Sequence, residues 1–151
     1  VKRVIERLLE SEASNIGFRY FKLSSSNFMT WNAGVPEDAN ELARQLRLFS
    51  SNVIPGRSQD DLLFEIMLKA GLSLTDPVER LDVSGQSIFS IADGTLLICL
   101  ADRMNDSILE VMLKQHPRNV ICLDVAFHGN DNLKTNSKLL MESHGIEFHT
   151  V

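Results

Sequence analysis

The chain has 151 residues, of which 44% are hydrophobic and 23% charged, with a formal net charge of −5. That length can bury a core of its own, so one globular domain is the default. No apolar run approaches the roughly 18 residues a membrane span needs, and the acidic balance argues against a stand-alone nucleic-acid clamp, which needs a basic surface to neutralise phosphates.

In chain order, Val1 to about Ser14 reads as a helix with Val4, Ile5, Leu8 and Leu9 on one stripe. The chain begins inside that pattern without a signal peptide, as expected of a piece of a longer protein. After Gly17, the aromatic content of Phe18–Leu23 predicts a strand. The Ser-rich loop that follows carries Phe28 and Trp31, rings that need something to pack against. Pro36 and Asp38 open a second helix, with Ala39, Leu42, Leu46, Phe49 and Val53 as its stripe. Beyond the Pro55-Gly56 turn, Ser58 and Asp61 resemble a capping box. They introduce a third helix that is apolar nearly all round, with six apolar residues between Leu62 and Leu68 interrupted only by Glu65. Such a helix is central to its domain or covered by a partner. Phe64 and Leu68 are the candidate interface residues, unless the neighbouring helix and the sheet enclose everything between them.

A meander follows. Arg80–Val83 and Ser87–Ala92 read as strands joined at Ser84-Gly85, and Asp93-Gly94 is a hairpin turn into Thr95–Leu100. Asn105 caps a helix with Ile108, Val111 and Met112 facing inward. The apolar run Val120–Leu123 suits a strand covered on both faces. Helix start signals at Asn130 and Asp131 follow, then a face of Leu133, Ser137, Leu140 and Met141, a stop at Gly145, and a last strand over Ile146–Thr150. The fold class expected is α/β: a mixed sheet with a C-terminal βαβαβ parallel unit, an antiparallel meander before it and a helical N-terminal half.

Residues that could carry chemistry are few. Cys99 and Cys122 sit in strand patterns and read as buried thiols, which suits a reducing cytoplasm. His116 and His144 lie at helix C-termini, where an imidazole meets the last carbonyls. His128 and His149 belong to no spaced metal-binding pair. The loop from Phe127 to Asp131 lies where a doubly wound sheet holds a ligand. Its lone glycine is a weak phosphate signal, Asp131 would repel an anion, and Lys134-Thr135 one turn later offers a partial P-loop likeness. The expected roles of Asp124, Asp131 and Lys134 are therefore to organise that loop, with Asp131 accepting amide hydrogen bonds at the helix start.

Several segments, in order, resemble the C-terminal part of the methylation (Mod) subunits of type III restriction–modification systems, which are adenine-specific DNA methyltransferases. They are Gly17-Phe-Arg-Tyr-Phe-Lys-Leu-Ser-Ser-Ser-Asn-Phe28 with Trp31, Gly56-Arg-Ser-Gln-Asp-Asp-Leu-Leu-Phe-Glu-Ile-Met-Leu-Lys-Ala-Gly71, Ala92-Asp-Gly-Thr-Leu-Leu-Ile-Cys-Leu100 and Phe127-His-Gly-Asn-Asp-Asn-Leu-Lys-Thr-Asn136. Asn132 stands where the family has glutamine and Val125 where a small residue is common. The resemblance implies a parent protein that uses S-adenosylmethionine, meets DNA through a separate recognition region, forms a homodimer and joins a helicase–nuclease (Res) subunit. The family's catalytic Asp-Pro-Pro-Tyr and donor-binding Phe-x-Gly-x-Gly motifs do not occur in this chain, so no catalytic, cofactor or metal residue is carried over. Residues 1–35 then correspond to the tail of the methyltransferase region and 36–151 to a C-terminal α/β domain serving assembly and positioning. A reading from another class is an independent domain that binds a nucleotide or small ligand through the 127–135 loop. A third is direct DNA contact through Lys134, Lys138 and the basic N-terminal helix.

Overall fold

The computed structural model describes residues 19–29 and 52–151. The expected helix over Val1–Ser14, the helix from Asp38 as far as residue 51, and Trp31 lie outside them; Val53, expected on the stripe of that second helix, instead forms an isolated antiparallel bridge with Phe28. Helix α1 (Gln59–Lys69) starts where the sequence places it: Ser58 Oγ accepts from Asp61 N–H while the Asp61 carboxylate accepts from Ser58 N–H. That reciprocal cap satisfies two donors the helix cannot use itself.

The strands are β1 (Val78–Val83), β2 (Gln86–Ile91), β3 (Leu96–Cys99), β4 (Asn119–Cys122) and β5 (Glu147–Thr150). They form one mixed sheet in sequence order, antiparallel from β1 to β3 and parallel from β3 to β5. Helices α2 (Asp106–Lys114) and α3 (Asp131–Ser143) make the two crossovers. Crossovers of one hand between successive neighbouring strands put both helices on one face. Ile108, Leu109 and Met112 of α2 and Met141 of α3 accordingly share a core with Leu97, Cys99, Val120, Cys122 and Phe148. The other face carries α1, whose Leu62, Leu63, Ile66 and Met67 pack on Phe89, Ile91, Leu96 and Ile98. Residues of β3 thus alternate between two cores, which is why its sequence is apolar throughout.

The hairpin turn lies where expected, with Asp93 at φ 55° and Gly94 at φ 84°, and Thr95 N–H donating to Ala92 C=O. Two successive positive φ values define this turn and explain the glycine. Ala92 and Thr95, expected at the strand ends, both stand outside the ladder, which closes at Ile91 opposite Leu96, so the connection has four residues where two were expected; Ala92 also turns to φ 52°.

One expected strand is absent. Arg19–Leu23 belongs to no strand of the sheet, and Tyr20 and Leu23 are 81% and 95% exposed. Aromatic content favours a strand only where an edge is available to pair with. This segment meets none, and instead runs as a strap toward α1.

Candidate functional site

The carboxyl ends of the parallel strands are where an open α/β sheet holds a ligand. Here that position is filled. After β4 a 3-10 turn over Asp124–Phe127 lays Ala126 and Phe127 into the core beside Ala101 and Met104, and Met104 N–H donates to Ala126 C=O. The Phe127 ring meets that of Phe148 edge-on at 6.3 Å between centroids. The chain then turns through His128 and Gly129, both at positive φ, into α3.

Of the three residues expected to organise this loop, two meet. The Lys134 ammonium lies 2.5 Å from the Asp124 carboxylate across the loop, and both side chains are partly solvated. The amide cap expected of Asp131 belongs to its neighbour: Asn130 Oδ1 accepts from Leu133 N–H at 3.0 Å. Asp131 is the first helical residue, where its charge faces the positive end of the helix dipole. Asn130→Ala is therefore expected to cost about 1 kcal/mol, and Asp131→Ala only about 0.3–1 kcal/mol. Chemical denaturation of the two variants measures the difference.

His144 caps α3 as expected, its Nδ1 lying 2.9 Å from Leu140 C=O. Cys99 and Cys122 are buried neighbours in register on β3 and β4. The Cys122 thiol is pushed up by its contact with Cys99 and by burial. Among the described residues no cluster of His, Cys, Asp or Glu could hold a metal ion.

The other locus is the outer face of α1, and its centre is a residue that sequence reading passed over. Glu65 looks like an interruption in an apolar helix; it is the anchor for residues 19–29. Its carboxylate accepts from Ser26 Oγ at 2.5 Å and from Asn27 N–H at 2.6 Å, and Lys69 Nζ lies 2.9 Å away. The Asn27 amide donates to Asp61 C=O at 2.9 Å. The same Lys69 ammonium lies 4.5 Å from the centre of the Phe28 ring. Burial pushes the Glu65 carboxyl up, but hydrogen bonds from Ser26, Lys69 and Asn27 outweigh it and hold the group below the usual carboxylate range.

Further along the strap, Phe21 meets Phe64 edge-on at 4.8 Å, and the Arg19 guanidinium lies 5.8 Å from the centre of the Phe64 ring. Met29 N–H donates to Asn52 C=O and Ile54 N–H to Asn27 C=O, so the strap also joins the segment leading into α1. Of the two candidate interface residues, Phe64 is half-buried beneath the strap and Leu68 is 55% exposed. The signal that could have found Glu65 was its spacing: it stands four residues before Lys69 inside an otherwise apolar helix, a position that requires a polar partner.

No protein-family model and no curated protein matches the chain.

Proposed function

We propose that this chain is the non-catalytic C-terminal part of a type III restriction–modification DNA (adenine) methyltransferase, and that it serves assembly and positioning. The single observation that supports the reading most is the strap. Residues 19–29, which the resemblance assigns to the end of the methyltransferase region, converge through Ser26, Asn27 and Phe28 on Glu65 and Lys69 of α1. A surface that seats the preceding segment by charge-assisted hydrogen bonds holds one part of a subunit in a defined place relative to another. The filled carboxyl ends of β3 and β4 support a structural role as well. Lys134, which the ligand-binding alternative needs, is engaged by Asp124.

On this reading the parent subunit supplies S-adenosylmethionine and DNA contacts upstream, dimerises, joins the helicase–nuclease subunit and works in the cytoplasm. Among the described residues no helix is long and apolar enough to cross a membrane. The chain itself is expected to bind no S-adenosylmethionine, and calorimetric titration measures this directly; micromolar binding overturns the assignment of roles. The reading as a whole is tested by the coding sequence upstream of Val1. Asp-Pro-Pro-Tyr and Phe-x-Gly-x-Gly motifs are expected there in frame, and a reading frame without them sinks the proposal.

A further inference from the structure

We propose that Cys99 and Cys122 form a reversible disulfide across β3 and β4 when a peroxide reaches them, a redox-sensitive lock on the α2 crossover. The two cysteines are direct partners in the parallel register, and each is the last residue of its strand. Their neighbours Ile98, Leu100, Ile121 and Leu123 pack on the α1 side, whereas both thiols belong to the core under α2 and α3. They therefore leave the sheet side by side on one face, and both are fully buried. The chain holds no third cysteine to compete for either. A bond between them closes residues 100–121, which carry α2, into a loop and ties the middle of the sheet together.

The spacing of the strands sets how firmly that bond holds. Neighbouring strands stand about 4.8 Å apart, and side chains at directly opposed parallel positions keep about that spacing at Cβ. An unstrained disulfide spans about 4.4–6.8 Å between Cα atoms but only about 3.5–4.5 Å between Cβ atoms. The backbone spacing thus admits the bond, and closing it draws β3 and β4 together by a few tenths of an ångström. A disulfide held under that strain is reduced more readily than a structural one. The dithiol is then the resting form wherever thiols are in excess, and the bond lasts only as long as the oxidant.

The two thiols differ in role. Hydrogen bonds from Cys122 and from Ala101 N–H outweigh burial and hold the Cys99 thiol below its usual range, while Cys122 is pushed up. Cys99 is the nucleophile, since the thiolate is the reactive form. Its sulfur attacks one oxygen of hydrogen peroxide, the O–O bond breaks, and water leaves a sulfenic acid at Cys99 Sγ. Cys122 Sγ then attacks that sulfur, its proton passes to the departing hydroxyl, and a second water leaves. The peroxide gains two electrons and the two thiol hydrogens, and one S–S bond forms. Burial favours this product over further oxidation, because a disulfide is uncharged and apolar whereas a sulfinate is an anion that the core cannot solvate. Ala101, Met104, Ala126 and Phe127 share the core at these strand ends, so a small oxidant enters by opening of that plug and not by unfolding of the sheet.

The inference stands apart from the assembly reading, because neither the strap nor α1 takes part in it. Hydrogen peroxide added to the folded 151-residue chain tests it, read by thiol titration, intact mass and peptide mapping. Both thiols are expected to disappear together, leaving a chain two hydrogens lighter with Cys99 linked to Cys122, and excess reduced glutathione is expected to restore them. The reaction is expected to outrun global unfolding, which the slowest-exchanging amides of β3 and β4 report. Ile121→Cys combined with Cys122→Ile keeps two thiols but turns one to the α1 face, and is expected to form no link while folded. Thiols that stay free in the folded chain and pair only in urea overturn the proposal, as do links between chains or sulfinic products. A link formed equally fast in the shifted variant overturns it too, since the register then decides nothing. If that variant does not fold, the rate and product in the natural chain decide alone.

Discussion

Replacing Phe127 by Ala lowers the stability of the domain by about 3–5 kcal/mol, the cost of removing a buried aromatic ring and leaving its cavity. Phe127 is 3% exposed and belongs to the core made by α2, α3 and their face of the sheet. It closes the carboxyl end of β4 from inside and meets Phe148 on the edge strand, so its loss loosens β5 as well. Urea denaturation measures the loss. The variant also separates two views of the 127–135 loop. If the loop is a structural plug, opening it yields a less stable protein with no new affinity for nucleotides. An unchanged midpoint would falsify the view that this ring fills the crevice.

Glu65→Ala is expected to release residues 19–29 from α1 while the five-stranded sheet stays folded. The substitution leaves Asn27 N–H, Ser26 Oγ and Lys69 Nζ without their shared acceptor. Hydrogen bonds to a charged group are worth about 1.5–3 kcal/mol each net, and three that share one carboxylate do not add. Docking of the strap is therefore expected to weaken by roughly 2–4 kcal/mol. Hydrogen exchange at Asn27, Met29 and Ile54 reads the release, with the amides of β3 and β4 as the internal control. Glu65→Gln recovers part of the docking, since an amide oxygen still accepts but carries no charge.

Acidification acts in the same direction. The folded carboxyl titrates below its ordinary value of 4.5, so its contribution is fully present above that value and is lost as pH falls through the folded pKa. Strap exchange that rises between about pH 5 and pH 3 in the natural chain, and stays flat in Glu65→Gln, is the expected pattern. Equal exchange in both proteins at every pH means the strap is held by its phenylalanines and not by the carboxylate.

The sequence by itself determined the elements whose cause is local. Ser58 with Asp61, and Asn105, supply side-chain acceptors within three residues of the amides they cap. Asp93-Gly94 makes a turn because those two residues tolerate positive φ. Leu96–Cys99 is apolar on both faces because two helical layers cover it, so its parallel, central place was legible in the run itself. The crossovers from β3 to β5 follow from strand–helix–strand order, which leaves few arrangements open.

Only the tertiary structure decided the rest, and for the strap and Glu65 the deciding partner is remote in the chain. Arg19–Leu23 has the composition of a strand, but a strand exists by pairing, and no edge of the sheet reaches it. Glu65 meets Ser26 across 39 positions, a distance at which no periodicity carries information. Phe127 reads as part of a polar ligand loop until its side chain is seen to point into the core, a matter of the 3-10 turn before it. Asn130 and Asp131 offer equivalent cap signals to a reader of the sequence, and the backbone selects Asn130 by placing its side chain at the open amide of Leu133. Local propensity is a property of neighbours, whereas burial, pairing and charge partners are properties of the assembled chain.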